Sequence, residues 1–426
     1  MKNLFVLLVS LLSAGSLSAV GPTISNVTWS QPNGAGKVTI RYTVSEAAVV
    51  TVDILTNGVS LGSANLMDFR EEGLPAAAGS AFNRVVSADT HTVVWRPYKT
   101  LPKAVFENGE VDVKLTAYSL KRPPDYMLID LAGTNNVHYY ASTNDLPFGP
   151  LVTSDPYRTT HVLMRRIPAA GVRWRMGAAS LSMPSDVQAA AYRDHEMPHF
   201  VTLTNDYYMG VFEVTQRQHE LVTGTNPSAF SDPTTYPGHY TMPVERVSVQ
   251  GLAGTAAWRH CGDAVAKGSP LDRWRKRTML TLDLPTEARW EFACRAGSTN
   301  SFHNGTDDVT NAKGVGRLGW TTNTNGVDGH PHPVGEKEPN AFGLYDTHGN
   351  VFEFVVDEWN ATVSPDPVFD PDGYLKGTSG FTVTMKGGAF DYGTTAASAA
   401  AGRNTTNAGA ANDMGYRLWA PLPEVK

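Results

Sequence analysis

The stretch that decides the fold runs from Pro339 to Phe354 and reads PNAFGLYDTHGNVFEF. Its mixture of aromatic residues, glycines and carboxylates matches neither the period of a helix nor that of a strand. Gly349 suits a backbone position with a positive φ or a close approach of another segment. Asp346 and Glu353 offer side-chain oxygens that a hard cation binds, and backbone carbonyls between them would complete the shell. A tight loop, hydrogen-bonded internally and packed on its aromatic rings, explains the same pattern.

The stretch resembles the signature of the formylglycine-generating enzyme family, also called the sulfatase-modifying factor family. That signature usually has tryptophans where this chain has Phe352 and Phe354. Eight further segments between residues 160 and 420 resemble the family's motifs, in the family's order. They are RMG (175–177), FEVTQ (212–216), NPS (226–228), PVERVS (243–248), LPTEA (284–288), WEFACRAG (290–297), KGGAF (386–390) and GYR (415–417). The resemblance implies the family's variant of the C-type-lectin fold, which has little regular secondary structure.

Length and composition limit the classes of protein to consider. A chain of 426 residues is long enough for two or three domains. Its 39 glycines and 27 prolines favour turns and irregular segments over long helices. The formal net charge is −6, and no basic stripe is visible in the sequence. We therefore expect no nucleic-acid partner.

The N-terminus has the pattern of a secretory signal peptide over residues 1–19. A short basic start precedes the apolar run Leu4–Leu12, and small residues follow up to Ala19. The apolar run is too short to span a bilayer, and no later segment approaches the length needed. The sequence therefore predicts an exported protein without a membrane span, in the periplasm, at the cell surface or outside the cell.

Two domains of different type are predicted, and the expected fold class is α+β. Residues 22–120 contain short alternating runs such as Val38–Val44 and Val111–Tyr118, which predict an immunoglobulin- or fibronectin-like β-sandwich. The paired prolines Pro123 and Pro124 indicate a boundary. We predict a connecting segment over residues 121–160 that packs on the next domain. Residues 161–426 form the predicted sulfatase-modifying-factor domain.

Three short helices are predicted in the second domain. Thr215 and Gln218 make a capping box for a helix that ends near Gly224. Another helix is predicted to begin at Ser248, and a third near Thr286. The helix from Ser248 would place four residues on its inner side, namely Leu252, Trp258, Cys261 and Val265.

The chemistry of the family is not expected in this chain. The resemblance implies that active members bind copper(I) through two cysteine thiolates in the segment after the motif at 386–390. The matching positions are Tyr392 and Ala397, and no cysteine follows Cys294. A phenol is a poor ligand for copper(I), and alanine has no ligand atom. Copper is therefore not expected, and whether Cys294 and Cys261 form a disulfide or remain buried thiols stays open.

Calcium is the metal that the resemblance favours. The family's structural site corresponds to Asp346, Gly349, Val351 and Glu353, with backbone oxygens from Gly349 and Val351. A second family site corresponds to four residues in the preceding loops, namely Asn311, Ala312, Asp328 and His330. Such ions would be structural, because they fix loops that lack ladder hydrogen bonds.

The positions of the histidines do not predict an iron site. The twelve histidines are scattered, and His330–Pro331–His332 is the only close pair. Because the proline favours an extended backbone before it, we expect the two rings to point apart.

The segment from Asp391 to Asp413 corresponds to the family's substrate groove and is small and neutral here. Tyr392, Thr394 and Asn404 would line it and hold a peptide, protein or glycan through polar contacts. Two arginines that recur in the family, Arg403 and Arg417, are expected in buried ion pairs.

Three functional hypotheses follow. The first is an exported relative without formylglycine-generating activity that acts as a ligand- or protein-binding module. The second is a family oxidoreductase with non-cysteine chemistry on a protein or small molecule. The third is a ligand-binding protein diversified by a retroelement, a class that shares the lectin-like fold.

Overall fold

The structure is a computed structural model, and it describes most of the chain between residues 21 and 424. The described residues are 21–31, 36–61, 66, 69–72, 81–97, 101, 106, 111–131, 137–177, 196–254, 258, 260–307, 316–322, 329–360, 362–373, 382–392, 402–406 and 409–424. The predicted signal peptide lies outside these residues. No helix among them is long and apolar enough to cross a membrane.

The N-terminal part contains two antiparallel sheets. Their strands are β1 (Ile24–Ser30), β2 (Val38–Val44), β3 (Ala48–Thr56), β4 (Val59–Ser60), β5 (Phe69–Glu71), β6 (Arg84–Val86), β7 (Thr90–Trp95) and β8 (Val111–Ser119). One sheet has the order β1-β2-β7-β5. In the other, β3 pairs along its length with β8 and at its two ends with β6 and β4.

One apolar core lies between these two sheets. Strand β2 alternates, with Val38, Ile40, Tyr42 and Val44 buried, because successive side chains of a strand point to opposite faces. They share the core with residues of β3, β5 and β7, including Trp95. Each large apolar side chain contributes about 1.5–3 kcal/mol when it is fully buried. The immunoglobulin- or fibronectin-like class of this part remains a prediction.

The C-terminal part contains twelve short strands within the described residues. They are β9 (Tyr126–Asp130), β10 (Val137–Tyr140), β11 (His161–Ile167), β12 (Val172–Met176), β13 (His199–Leu203), β14 (Tyr207–Gly210), β15 (Phe352–Glu358), β16 (Val368–Phe369), β17 (Val383–Lys386), β18 (Asn404–Thr406), β19 (Met414–Gly415) and β20 (Trp419–Pro421). They form three sheets with the orders β10-β9-β11-β14-β20, β12-β13-β16 and β18-β17-β15-β19. With few helices, this is an α+β arrangement that consists mostly of strands.

The segment predicted to connect the two domains supplies two strands to the five-stranded sheet. β9 pairs antiparallel with β11, and β10 pairs with β9. Leu128 and Met164 of this sheet are buried, as are most of their neighbours on the same strands. The segment is therefore part of the C-terminal sheet, whereas the prediction was that it only packs on that domain.

Four α-helices lie in the described part of the chain. They are α1 (Gln216–Thr223), α2 (Val249–Ala253), α3 (Pro270–Thr278) and α4 (Glu287–Arg295). The capping box of α1 is confirmed, since Thr215 accepts from the Gln218 amide and the Gln218 side chain accepts from the Thr215 amide. α4 begins after Thr286, as predicted.

The predicted length of the helix after Ser248 is wrong. Helix α2 ends at Ala253, because Gly254 takes a left-handed backbone with φ 67° and caps it. Trp258 and Cys261 therefore lie beyond the helix, although Trp258 still packs into the main core. Helix α3 was not predicted.

Helix α4 positions the region of the candidate site. It packs against β12, β15 and β17. Almost its entire length is buried, including Trp290 and Glu291. A helix buried on all sides that carries charged residues needs ion-pair partners from the strands around it.

Candidate functional site

A double-glycine turn begins the candidate site after β17. Gly387 and Gly388 have φ values of 93° and 79°, a region that side chains disfavour. The Gly387 carbonyl accepts a 2.7 Å hydrogen bond from the Gly349 amide, which joins this turn to the signature stretch. The chain then continues through Phe390 to Tyr392, which is 39% exposed.

Tyr392 occupies a fixed position at the protein surface. Its ring packs edge-to-face on Phe352 at 4.8 Å between centroids, and its carbonyl accepts a 3.0 Å hydrogen bond from the Thr322 amide. The Asn404 side chain hydrogen-bonds the Tyr392 phenol, whose pKa is raised mainly by burial. The structure thus brings two of the predicted groove residues together. Thr394 and Ala397 lie outside the described residues.

A set of half-buried aromatic rings contacts Phe390, two residues before Tyr392. We call this set the aromatic patch, and it consists of Phe230, Tyr236, Trp320, His330 and His332. Neighbouring ring centroids in it lie 3.6–6.3 Å apart. Phe230 also meets the buried Phe390 edge-to-face at 5.7 Å, so the patch continues towards the turn that bears Tyr392.

The prediction that the rings of His330 and His332 point apart is wrong. Their centroids are 5.0 Å apart, at an interplanar angle of 35°. His332 stacks on Trp320 at 3.6 Å and 9°, while His330 packs on Tyr236 at 5.3 Å. Proline restricts its own backbone and that of the preceding residue, but not the directions of the neighbouring side chains. The side chains follow the aromatic surface on which both rings pack.

A buried acid lies behind the signature stretch. Glu213 is 0% exposed and accepts hydrogen bonds from the Asn350 side chain at 2.7 Å and the Val351 amide at 3.1 Å. Burial, followed by the nearby charges of Asp346 and Glu353, raises the pKa of Glu213 well above its ordinary value. Glu213 therefore holds the signature stretch in place by accepting a hydrogen bond at each of its two carboxyl oxygens.

The two carboxylates of the predicted calcium site have different surroundings. Both Glu353 oxygens accept from Arg417, and one also accepts from the Trp290 indole at 2.6 Å. The Asp346 Oδ2 atom accepts from the Gly335 amide at 2.7 Å, whereas Oδ1 is buried without a hydrogen-bond partner in the described structure. Burial is the main cause that raises the pKa of Asp346 to about 6. A cation at this loop therefore fits beside Asp346 better than beside Glu353.

Most residues of the second predicted metal site lie outside the described part of the chain. Asn311, Ala312 and Asp328 lie outside the described residues, and the His330 Nδ1 atom lies 2.8 Å from the Pro331 carbonyl. Across the described ranges, no group of three or more histidine, cysteine, aspartate or glutamate side chains is placed to hold a metal ion. A calcium site here would depend on backbone oxygens, as the resemblance implies.

Arg403 and Arg417 form buried ion pairs, which confirms that prediction. Arg403 is 7% exposed and lies 2.8 Å from Glu287, and Arg417 is 1% exposed and lies 2.7 Å from Glu353. The guanidinium of Arg417 also donates to three backbone carbonyls. Arg403 therefore connects the segment before β18 to helix α4, and Arg417 connects the segment after β19 to β15.

The two cysteines are free thiols that are not poised to react. Cys294 is fully buried, and burial raises its pKa to about 12. Burial likewise raises the pKa of Cys261 well above its ordinary value. The thiol of Cys294 contacts the Thr347 carbonyl, and that of Cys261 contacts the Leu284 carbonyl. Because the thiolate is the nucleophile and the metal ligand, neither residue suits that chemistry.

Sequence reasoning missed the aromatic patch and the role of Glu213. The patch residues Phe230 and Trp320 are far apart in the chain, and no periodicity links them. For Glu213 a signal exists, since an acid inside the apolar run Val211–Val214 is expected to be buried and to require partners. Only the structure identifies those partners.

Comparison with known proteins matches the chain to one family. The profile of the sulfatase-modifying factor enzyme 1-like domain matches residues 169–421. The formylglycine-generating enzyme of Mus musculus is 29% identical over 306 residues, which cover 64% of this chain and 78% of that protein. The enzyme of Thermomonospora curvata is 36% identical over 118 residues, or 25% of this chain and 38% of that protein.

Two solved structures that match the chain have lower sequence identity to it. Treponema denticola variable protein 1 is 23% identical and aligns with a TM-score of 0.47 over 64% of this chain and 98% of that one. PvdO from Pseudomonas aeruginosa is 23% identical, with a TM-score of 0.45 over 61% and 94%. The profile match spans more than half of the chain, so this protein belongs to the sulfatase-modifying factor family, whose relatives include the formylglycine-generating enzymes.

Proposed function

We propose that this chain is an exported member of the sulfatase-modifying factor family that has no formylglycine-generating activity and binds a peptide, protein or glycan beside Tyr392. The observation that supports this proposal most directly is the chemistry at the turn after Gly388. A phenol stands at the position that corresponds to the family's first copper-binding cysteine, and the two cysteines of the chain are free thiols elsewhere, Cys294 buried and Cys261 half-buried. Without these thiolates, the two-cysteine copper(I) site that the resemblance implies for active members is not present.

The aromatic patch supports a binding role. Half-buried rings with polar edges, such as Tyr236 and His332, give a ligand both an apolar surface and hydrogen-bonding groups. The Lys337 ammonium lies 3.6 Å from the centroid of the Trp320 ring and adds a charge beside the patch. Mostly apolar surfaces with a few placed polar groups are typical of ligand sites.

The remaining parts have supporting roles in this proposal. The N-terminal sheets, as an immunoglobulin- or fibronectin-like module over residues 22–120, act in spacing or partner binding. The site lies in the domain over residues 161–426. A structural calcium ion beside Asp346 stabilises the signature stretch, which the orphaned Oδ1 atom of that residue supports.

Peptide and glycan arrays probed with the purified full chain test the proposal. We expect a restricted set of ligands, and we expect Tyr392→Ala and Trp320→Ala to weaken their binding at least tenfold. The matched control is Phe200→Ala, because Phe200 is 40% exposed, against 39% for Tyr392, and lies on β13 away from the patch. The proposal fails if the arrays show no ligand, or if Tyr392→Ala and Trp320→Ala both bind as tightly as the control.

A further inference from the structure

A cavity of about 380 Å³ lies where the N-terminal sheets meet the C-terminal part. We call it the interdomain cleft. One wall is formed by β3 and β8, and the other by β9, β10 and the segment after them. The Tyr139 amide donates a 2.8 Å hydrogen bond to the Asn83 carbonyl, which joins the two parts beside the cleft. Its volume falls within the range of small-molecule sites.

Carboxylates outnumber cations in the lining of the interdomain cleft. Asp53, Asp130 and Asp145 line it, together with the single lysine Lys114. Asp53 and Lys114 are cross-strand partners in the β3–β8 register. Ser60 donates to Asp53 at 2.6 Å, and the described contacts of Asp145 include the Ser142 amide and hydroxyl. These bonds fix the positions of two carboxylates at the cleft.

The histidines of the cleft do not offset this charge. Burial lowers the pKa of His138 to about 4, and burial also lowers the pKa of His161, whose Nε2 atom lies 3.8 Å from Asp130. Both imidazoles are therefore neutral near pH 7. His138 also hydrogen-bonds the Phe82 backbone. If one ring nitrogen of a neutral imidazole donates to a carbonyl, the other can only accept.

Aromatic rings complete the walls. Tyr118, Tyr140 and Phe148 line the interdomain cleft. The Asn83 side chain hydrogen-bonds Tyr140, and Thr51 hydrogen-bonds Tyr118, so both phenols are held in place. A cation is attracted both to aromatic faces and to carboxylates. A cleft lined by aromatic faces and an excess of acceptors suits a donor-rich, positively charged group.

We propose that the interdomain cleft binds an organic cation, namely an ammonium or guanidinium group. The group donates hydrogen bonds to Asp53, Asp145 and the acceptor nitrogen of His138, while its carbon stem packs on Tyr140 and Phe148. The cation is either a free amine or a basic side chain of a partner protein. This site is separate from the groove beside Tyr392, and it does not depend on the function proposed for that groove.

Isothermal titration calorimetry of the full chain tests this proposal with two cationic probes. They are putrescine, as a free diamine, and acetyl-Gly-Arg-Gly-amide, as a basic side chain. The matched neutral probes are 1,4-butanediol and the same peptide with citrulline in place of arginine. We expect saturable binding of the cations only, weakened by added salt. Tighter binding of the peptide indicates a protein partner, and tighter binding of putrescine indicates a free amine.

Two charge variants should change the affinity for the cation in opposite directions. Asp53→Asn should weaken binding of the cation about threefold to tenfold, and Lys114→Gln should strengthen it by a similar factor. Glu46→Gln removes an exposed carboxylate outside the cleft and should leave the affinity within about twofold of the unmodified protein. Circular dichroism checks that each variant is folded.

The proposal is overturned if neither cation binds at millimolar concentration or if the neutral probes bind equally well. It is also overturned if folded Asp53→Asn and Lys114→Gln proteins change the affinity in the same direction.

Discussion

Replacing Arg417 with methionine is expected to lower the free energy of unfolding by about 3–5 kcal/mol. Arg417 is 1% exposed and is held 2.7 Å from Glu353, with further hydrogen bonds to the carbonyls of Gly210, Val211 and Tyr345. Methionine fills a similar volume but supplies no charge and no donors. The variant therefore leaves a buried carboxylate and three carbonyls without these partners.

Urea denaturation, followed by tryptophan fluorescence, measures this change. The matched control is Arg317→Met, because the Arg317–Glu338 pair is 69% and 50% exposed and should contribute at most about 1 kcal/mol. Adding Glu353→Gln to Arg417→Met should recover part of the loss, since it removes the uncompensated charge. A loss below about 1 kcal/mol for Arg417→Met would refute the reasoning, because the buried pair would then behave as a surface pair.

The remaining predictions concern the protonation of Glu196, the space around the backbone of Gly349 and the binding of calcium. Burial raises the pKa of Glu196 to about 7 from 4.5, so the folded state binds the proton more tightly and stability falls as pH rises across that window. Glu196→Gln should therefore raise the melting temperature at pH 8 but not at pH 4, and an equal effect at both would contradict this. Gly349→Ala should cost roughly 2 kcal/mol or more, because φ is 86° and a Cβ would lie 2.2 Å from the Trp320 carbonyl oxygen. In contrast, Gly58→Ala meets no atom within 4 Å and should cost about 1 kcal/mol from its positive φ alone, so equal losses for the two would argue against the clash. Calcium should raise the melting temperature and EDTA should reverse the rise, and both effects should be weaker in Asp346→Ala than in the unmodified protein.

Local signals in the sequence predicted local structure well. The capping box of Thr215 and Gln218 lies within one turn, so the sequence alone specifies it. The alternating pattern of β2 likewise predicted the strand from Val38 to Val44 with its bounds. The helix after Ser248 was predicted too long, because its apolar spacing continues beyond Gly254 although the backbone does not. Helix α3 was missed although Ser269 and Pro270 are a typical N-cap and first-turn pair.

The features of the site that the sequence did not predict depend on contacts between residues that are far apart in the chain. The aromatic patch joins Phe230, Trp320 and His332, which only the folded chain brings together. The partner of Glu353 is Arg417, 64 positions later, and nothing in the spacing identifies that pair. The absence of cysteine after Cys294, in contrast, is a property of the sequence and needs no structure.

Turnover of a cysteine-containing sulfatase peptide by the copper-supplemented protein tests the central claim most directly. Aldehyde formation is followed with an aminooxy probe and mass spectrometry, and an active formylglycine-generating enzyme serves as the positive control. We predict no aldehyde above the level without protein, because Tyr392 stands at a position where copper(I) requires a thiolate. Aldehyde that forms only when this protein is present would contradict the claim.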